Sequence, residues 1–241
     1  MFQAPPPHVN QKKPRRSTIV RLRAGLGALL APPQCVLCDQ PGLPGPVDLC
    51  SACLGELPQH HAPLQYPYGD YQLLCCPWNF AFPVDELLRA LKFHGERSYA
   101  RLLGALLART RLGCDQPLPQ WVVPVPLHPQ RLRERGYNQA AELARFAARE
   151  LGLRCEVRCL QRLRATCEQT HLGAAERAAN LLQAFQVRAP LAVASVALVD
   201  DVMTTGSTLA AAAAALRSAG VRHIEIWVAA QAQRRAQLQT T

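Results

Sequence analysis

The chain has 241 residues, of which 49% are hydrophobic, so it can bury one core of ordinary domain size together with a small accessory module. Its apolar stretches are broken by charge or proline well short of the roughly 18 to 20 residues of a membrane-spanning helix, so no membrane span is predicted. The formal net charge is +10, and all but three of the 27 basic residues are arginine. This balance indicates either an anionic partner, such as nucleic acid or phosphate, or the amino-acid bias of a GC-rich genome.

The N-terminal segment is basic and is predicted to be disordered. Residues 1–23 contain three consecutive prolines and six basic residues without an acid, so they cannot bury enough apolar surface to order themselves. A short helix is predicted over Leu22–Leu30, ending before two prolines. The apolar run Gly25–Ala31 is too brief, and its approach too rich in arginine, for an export signal. We therefore expect a protein that stays in the cytoplasm.

Two C-x-x-C pairs separated by eleven residues follow this segment. The doubled spacing is typical of a tetrahedral Zn²⁺ site with four thiolate ligands, and it favours a reducing compartment over a disulfide framework. Because the loops between the pairs are rich in proline and glycine, we expect a closed, structural Zn²⁺ site to hold them together. The predicted ligands are Cys35, Cys38, Cys50 and Cys53. Two nearby pairs are rival ligands whose role the sequence leaves open: His60, His61, Cys75 and Cys76.

Most of the remaining chain alternates predicted helices and strands, which indicates an α/β fold with a mostly parallel sheet and helices on both faces. Before these elements, a Gly-Asp turn signal within Tyr66–Phe82 predicts a hairpin or an extended hood segment. The predicted helices are Val84–Phe93, Tyr99–Arg111, Asn138–Leu151, Ala174–Leu182 and Ser207–Ala219. The predicted strands are Trp121–Leu127, Leu153–Leu160, Ala194–Val199 and Ile224–Ala230. This division predicts a tail (1–23), a zinc module with its hood (24–82), a sheet domain (83–233) and a second tail (234–241).

Two polar segments of the sheet domain are rich in arginine. The first follows the strand Trp121–Leu127, where it forms either a second anion site at the sheet edge or a solvated start of the next helix. The second, Arg162–His171, lacks periodicity and lies between a strand and a helix, as a mobile lid does. The candidate residues of the first segment are Leu127, His128, Arg131, Arg135 and Asn138. Those of the second are Arg162, Arg164, Gln169 and, just beyond it, Arg177.

The strand Ala194–Val199 runs directly into two aspartates and a loop that opens an alanine-rich helix. Ligands of such sheets bind beyond the carboxyl ends of the strands. Asp200 and Asp201 can accept hydrogen bonds from a ribose diol, while the backbone N–H groups and hydroxyls of the loop favour a phosphate at the helix N-terminus. A plain turn with a helix cap is the structural alternative. A nucleotide hydrolase would need a glycine-rich loop ending in Gly-Lys, and none of the three lysines lies in one. The loop residues are Thr204, Thr205, Gly206, Ser207 and Thr208.

The run from Val199 to Thr208 resembles the signature of type I phosphoribosyltransferases. Two further segments, from Val123 to Gln139 and from Arg162 to Phe185, resemble the ComF or GntX family, which is linked to competence and to the use of external DNA. The resemblance implies that the two acids hold the ribose hydroxyls of phosphoribosyl pyrophosphate (PRPP), that the loop 204–208 holds its 5-phosphate, and that Mg²⁺ accompanies its diphosphate. It also implies that the first arginine-rich segment is the pyrophosphate loop and the second a flexible loop that closes over the sugar.

Three functions remain open at this point. The first is a phosphoribosyltransferase that transfers the phosphoribosyl group to a nitrogen acceptor, which the sequence does not identify. The second is a non-catalytic PRPP- or nucleotide-binding accessory factor in DNA uptake, with single-stranded DNA or DNA-processing proteins as partners. The third, a zinc-dependent nucleic-acid binder with a vestigial sugar site, is the weakest because the ribose and phosphate elements are complete.

Overall fold

The computed structural model describes residues 34–60, 71–163 and 184–232. The two predicted tails, the predicted helices Leu22–Leu30 and Ala174–Leu182, and most of the proposed flexible loop lie outside these ranges. By its internal contacts the chain divides into two compact units, residues 1–56 and 57–241. No helix within the described ranges is both long and apolar enough to cross a membrane.

The described part of the first unit is a looped segment with one short helix, α1 (Ser51–Gly55). Backbone hydrogen bonds fold its loop back on itself: Val36 N–H donates to the Asp48 carbonyl over 2.9 Å, and Leu43 N–H to the Leu49 carbonyl over 2.7 Å. Val47 and Leu49 are fully buried, but they are too few to form an ordinary core. A cross-link such as a metal site would therefore stabilise the fold of this unit.

The second unit is built on a parallel sheet and a separate antiparallel pair of strands. The described strands are β1 (Leu73–Cys75), β2 (Trp78–Asn79), β3 (Trp121–Pro124), β4 (Arg154–Cys155), β5 (Leu160–Arg162), β6 (Phe185–Val187), β7 (Ser195–Met203) and β8 (His223–Gln231). The parallel sheet has the strand order β1-β8-β7-β3-β4, and β2 also pairs with β8. Strands β5 and β6 form the antiparallel pair. The described helices are α2 (Val84–Phe93), α3 (Ser98–Leu112), α4 (Pro129–Arg135), α5 (Gln139–Leu151) and α6 (Ser207–Ser218).

Helices cover both faces of this sheet, as expected from the alternating pattern. On one face α6 packs with alternate residues of β7 and β8, such as Leu198 and Ile226, in a continuous apolar core. On the other face α3 packs on α5, and α5 packs on β3 and β7. The two helices approach closely at Gly104, where a Cβ atom would lie 2.8 Å from both the Leu143 carbonyl oxygen and the Phe146 Cβ. The prediction of a mostly parallel α/β sheet is confirmed.

Several predicted elements differ in detail. Of the segment Tyr66–Phe82, for which a hairpin or an extended segment is predicted, the described part forms β1 and β2, which pair in parallel with β8, and the Gly-Asp turn signal lies outside the described residues. The predicted strand Leu153–Leu160 is two short strands in different sheets, with the intervening residues in neither. The arginine-rich loop after β3 contains the short helix α4, which begins at a proline, a residue suited to a first helical turn. Strand β7 continues to Met203, so the two aspartates lie within it and not after it.

Candidate ligand-binding site and metal centre

Two adjacent carboxylates lie near the carboxyl end of β7, the strand that pairs with both β3 and β8. Asp201 is only 4% exposed, and its backbone N–H donates to Asp200 Oδ1 over 2.9 Å. Burial, followed by the negative charge of Asp201, raises the pKa of Asp200 well above its usual range. Two acids held this close to each other in a buried place need cations, or hydrogen-bond donors from a ligand, to remain ionised.

The loop after β7 leads directly into α6 and leaves polar groups exposed at the start of that helix. Thr204, Thr205 and Ser207 are exposed, and the hydroxyl oxygens of Thr205 and Ser207 lie 2.8 Å apart. Gly206, immediately before α6, has a φ of 75°, which glycine adopts without strain. The first backbone N–H groups of a twelve-residue helix therefore lie beside two hydroxyls, an arrangement that suits a phosphate group.

The end of β3 lies beside β7, where Val125 N–H donates to the Val199 carbonyl over 2.8 Å. The loops that follow the two strands therefore begin at the same edge of the sheet. His128 and Asn138 cap α4 and α5 by accepting from Gln130 N–H and Ala140 N–H. The Asn138 amide also donates to the Val125 carbonyl over 2.9 Å, so this side chain ties the start of α5 to the end of β3.

The arginines of the predicted pyrophosphate loop differ in their surroundings. Arg131 is exposed on α4, and Leu127 lies partly buried before this helix. Arg135 donates to Gln139 Oε1 over 2.6 Å and lies over the Phe93 ring, 5.4 Å from its centroid. Arg131 is thus the better placed of the two to meet an anion from solvent.

Arg162, at the end of β5, lies close enough to Asp200 and Arg131 to interact with their charges. Burial lowers the pKa of Arg162, the negative charge of Asp200 opposes this shift, and the positive charge of Arg131 adds to it. The structure therefore brings together one residue from each of three predicted segments: the acid pair, the pyrophosphate loop and the flexible loop. The other predicted flexible-loop residues, Arg164, Gln169 and Arg177, lie outside the described residues.

Lys92 is a site residue that the sequence did not identify. Its Nζ lies 2.7 Å from Asp201 Oδ2, and the lysine side chain is 23% exposed. In sequence it is a cation in the last turn of α2, which the helix dipole alone would explain. The one feature of the sequence that distinguishes Lys92 is the rarity of lysine, since no other lysine follows Lys13.

The four predicted zinc ligands lie together in the first unit, with their Sγ atoms all within 4.8 Å of one another. Cys38 Sγ and Cys50 Sγ are 3.6 Å apart, close to the separation of about 3.8 Å that a tetrahedral site with Zn–S bonds of about 2.3 Å requires. The Cys53 backbone N–H donates to Cys50 Sγ, and this hydrogen bond lowers the pKa of Cys50 to about 7. The donor set and its spacing therefore fit Zn²⁺.

The rival ligands do not join this cluster where they are described. Cys75 and Cys76 are buried at the end of β1 in the second unit, and burial raises the pKa of Cys76 to about 12. His60 Nδ1 lies 3.1 Å from Asn79 Oδ1. His61 lies outside the described residues. Cys75 and Cys76 are thus core residues of the second unit, outside the four-cysteine group.

A phosphoribosyltransferase-type domain is defined by three features together: a parallel sheet with an acid pair on its central strand, a loop with exposed hydroxyls that opens a helix, and an adjoining arginine-rich loop. A model of the phosphoribosyl transferase domain matches residues 138–239.

DNA utilization protein YhgH of Salmonella typhi is 34% identical to this chain over 197 residues, covering 79% of this chain and 82% of that protein. The same-named protein of Escherichia coli K12 is 32% identical over 224 residues, covering 83% and 97%. Competence protein F of Haemophilus influenzae is 36% identical over 157 residues, covering 62% and 69%. The chain belongs to the ComF family of these proteins.

Proposed function

We propose that the protein binds PRPP at the carboxyl edge of the sheet and transfers its phosphoribosyl group to a nitrogen acceptor. The observation that carries this proposal is the continuity of β7 with α6, which places two adjacent acids a few residues before a helix start with exposed hydroxyls. Asp200 and Asp201 accept hydrogen bonds from the ribose diol, and residues 204–208 hold the 5-phosphate. One segment then binds both ends of the ribose 5-phosphate.

In this mechanism the protein contributes charge, position and the exclusion of water. Arg162 and Arg131 bring positive charge close to Asp200. In the proposed reaction this charge stabilises the diphosphate as it leaves C1 of the sugar. Mg²⁺ bound with PRPP would further neutralise the charge of the diphosphate. No covalent nucleophile is needed, because the acceptor nitrogen itself attacks C1.

A second candidate is an accessory role in DNA uptake or use, in which PRPP or a nucleotide is bound without turnover. It is favoured by the names of the relatives, DNA utilization protein and competence protein, and by the +10 charge. Single-stranded DNA or a DNA-processing protein would then be the partner. Such binding to DNA would weaken steeply as salt is raised.

One experiment separates these candidates. Binding of PRPP to the full-length protein is measured by calorimetry with Mg²⁺, and release of pyrophosphate is then followed across a panel of purine, pyrimidine and simple amine acceptors. We expect saturable binding, and turnover with one class of acceptor. Binding without turnover on any acceptor, together with salt-dependent binding of single strands, would favour the accessory role. Failure to bind PRPP would contradict the first candidate, and failure to bind nucleotides as well would contradict the second.

We propose further that the cysteine cluster holds one structural Zn²⁺ and that the protein works in the reducing cytoplasm. Metal analysis of the purified protein is expected to give one zinc per chain, and Cys35→Ser with Cys38→Ser to give close to none, because two thiolates do not complete a closed tetrahedral site. Cys114→Ser, at a partly buried cysteine outside the cluster, is the matched control and should retain the metal. A folded wild-type protein without zinc would contradict the proposal.

A further inference from the structure

The end of α2 contacts the candidate site through three consecutive residues. Lys92 Nζ lies 2.7 Å from Asp201 Oδ2. On either side of it, the Leu91 carbonyl accepts a hydrogen bond from the Tyr137 hydroxyl, and the Phe93 ring lies under Arg135 at 5.4 Å. Tyr137 and Arg135 belong to the segment between β3 and α5, so α2 is attached to that segment at the same place where its lysine meets the acid pair.

The electrostatics of the acid pair indicate a role for Lys92. Asp201 is almost fully buried, and the repulsion between two adjacent carboxylates favours uptake of a proton by one of them. Among the described residues, the charged groups that face the pair include Lys92 from α2 and Arg162 from β5, with Arg131 of α4 near the latter. The ammonium of Lys92 is in direct contact with a carboxylate oxygen, at 2.7 Å from Asp201 Oδ2. An acid that has taken up a proton accepts hydrogen bonds from a diol less strongly than its ionised form does.

We propose that Lys92 is a positioning residue that keeps the Asp200–Asp201 pair ionised, and thereby able to accept hydrogen bonds from both hydroxyls of a ribose. This inference deepens the proposed function and rests on it, since the ribose is that of PRPP. Lys92 acts through the aspartates and does not itself need to touch the sugar.

The test compares Lys92→Met with Arg89→Met, a matched removal of a cation from the same helix. Arg89 lies about one turn before Lys92 and has its own carboxylate partners, Asp85 and Glu86. PRPP affinity with Mg²⁺ is measured by calorimetry from pH 5.5 to 9. We expect Lys92→Met to weaken binding near pH 7 by up to about tenfold, the limit that a rise of about one pKa unit in the pair allows. Arg89→Met should bind as the wild type does, and Lys92→Arg should restore most of the affinity.

The pH profile distinguishes this role from a merely structural one. Binding needs the ionised pair, so affinity is lost as the pH falls through the pKa of the pair. Removal of the cation raises that pKa, and the loss must therefore begin at a higher pH in Lys92→Met, with recovery towards wild-type affinity in alkaline solution. Equal weakening at every pH, or unchanged binding, would overturn the inference.

A second measurement remains decisive if PRPP does not bind or if Lys92→Met does not fold. The carboxyl ¹³C resonances of Asp200 and Asp201 are titrated without ligand in the wild type and in Lys92→Gln, which keeps a polar side chain of similar length. A higher pKa of the pair in Lys92→Gln supports the role of Lys92 even where the proposed function fails. An unchanged titration overturns it, whatever the protein binds.

Discussion

Asp200→Asn combined with Asp201→Asn is expected to lower the affinity for PRPP by about 10²- to 10⁴-fold. Each carboxylate is proposed to accept one hydrogen bond from the ribose diol, and hydrogen bonds to a charged group contribute about 1.5–3 kcal/mol each. Asparagine keeps the size of the side chain but presents a neutral amide, and it also leaves Lys92 without its carboxylate partner. The measurement is calorimetric titration with PRPP and Mg²⁺ at neutral pH.

The same variant makes a qualitative prediction about pH. Because the pKa of Asp200 is raised, the affinity of the wild type for PRPP should decrease as the pH is lowered. The residual affinity of the double variant should not show this pH dependence, because its two side chains do not titrate. Glu86→Gln, an exposed acid on α2, is the matched control and should change neither affinity nor profile. Wild-type affinity in the double variant would show that the ribose is not held at this pair, and the proposed function would have to be abandoned.

Arg111→Met is expected to lower the free energy of unfolding by about 3–5 kcal/mol, the largest effect on stability that we predict. Arg111 and Glu225 are both fully buried, with Nε–Oε2 and Nη2–Oε1 distances of 2.7 and 2.8 Å. Trp227 Nε1–H also donates to Glu225 Oε2 over 2.8 Å. Removing the arginine leaves an uncompensated carboxylate inside the protein, whereas the methionine retains most of the packing volume. Urea unfolding followed by circular dichroism measures the change.

Two comparisons test the physical reason for that loss. Arg111→Met with Glu225→Leu should recover much of the stability, because no charge is then left unpaired in the core. Arg154→Met removes one partner of the exposed pair with Glu156 and should cost about 1 kcal/mol or less. If Arg111→Met and Arg154→Met lowered stability equally, burial of the ion pair would not be the cause.

The sequence predicted the parts of this protein that local patterns determine. The apolar periodicity gave α2 its observed bounds, Val84–Phe93, and the doubled C-x-x-C spacing identified four cysteines that the structure brings together. Strand β7 was predicted to end at Val199 because aspartates are unfavourable in strands, yet pairing with β8 carries it on to Met203. Here the neighbouring strand outweighs local preference.

Other features depend on contacts between distant parts of the chain, which no local pattern reveals. The parallel pairing of β1 with β8 joins residues about 150 positions apart. A local turn signal does not reveal such a pairing, and by itself it indicates only a hairpin or an extended segment. The contact of Lys92 with Asp201 is equally remote in sequence. The roles of Arg164, Gln169 and Arg177, and the division of the chain at residues 82 and 83, remain predictions.

The extension of β7 through the aspartates has a consequence for selectivity. Asp200 and Asp201 are attached to a backbone that is paired within a sheet, so their separation and direction are set before any ligand arrives. A preorganised pair of acceptors loses little conformational entropy on binding, and it discriminates against diols whose oxygens do not match its geometry. The exposed turn at residues 204–208 has fewer such restraints, so adaptation to differences among ligands should take place at the phosphate end and not at the sugar.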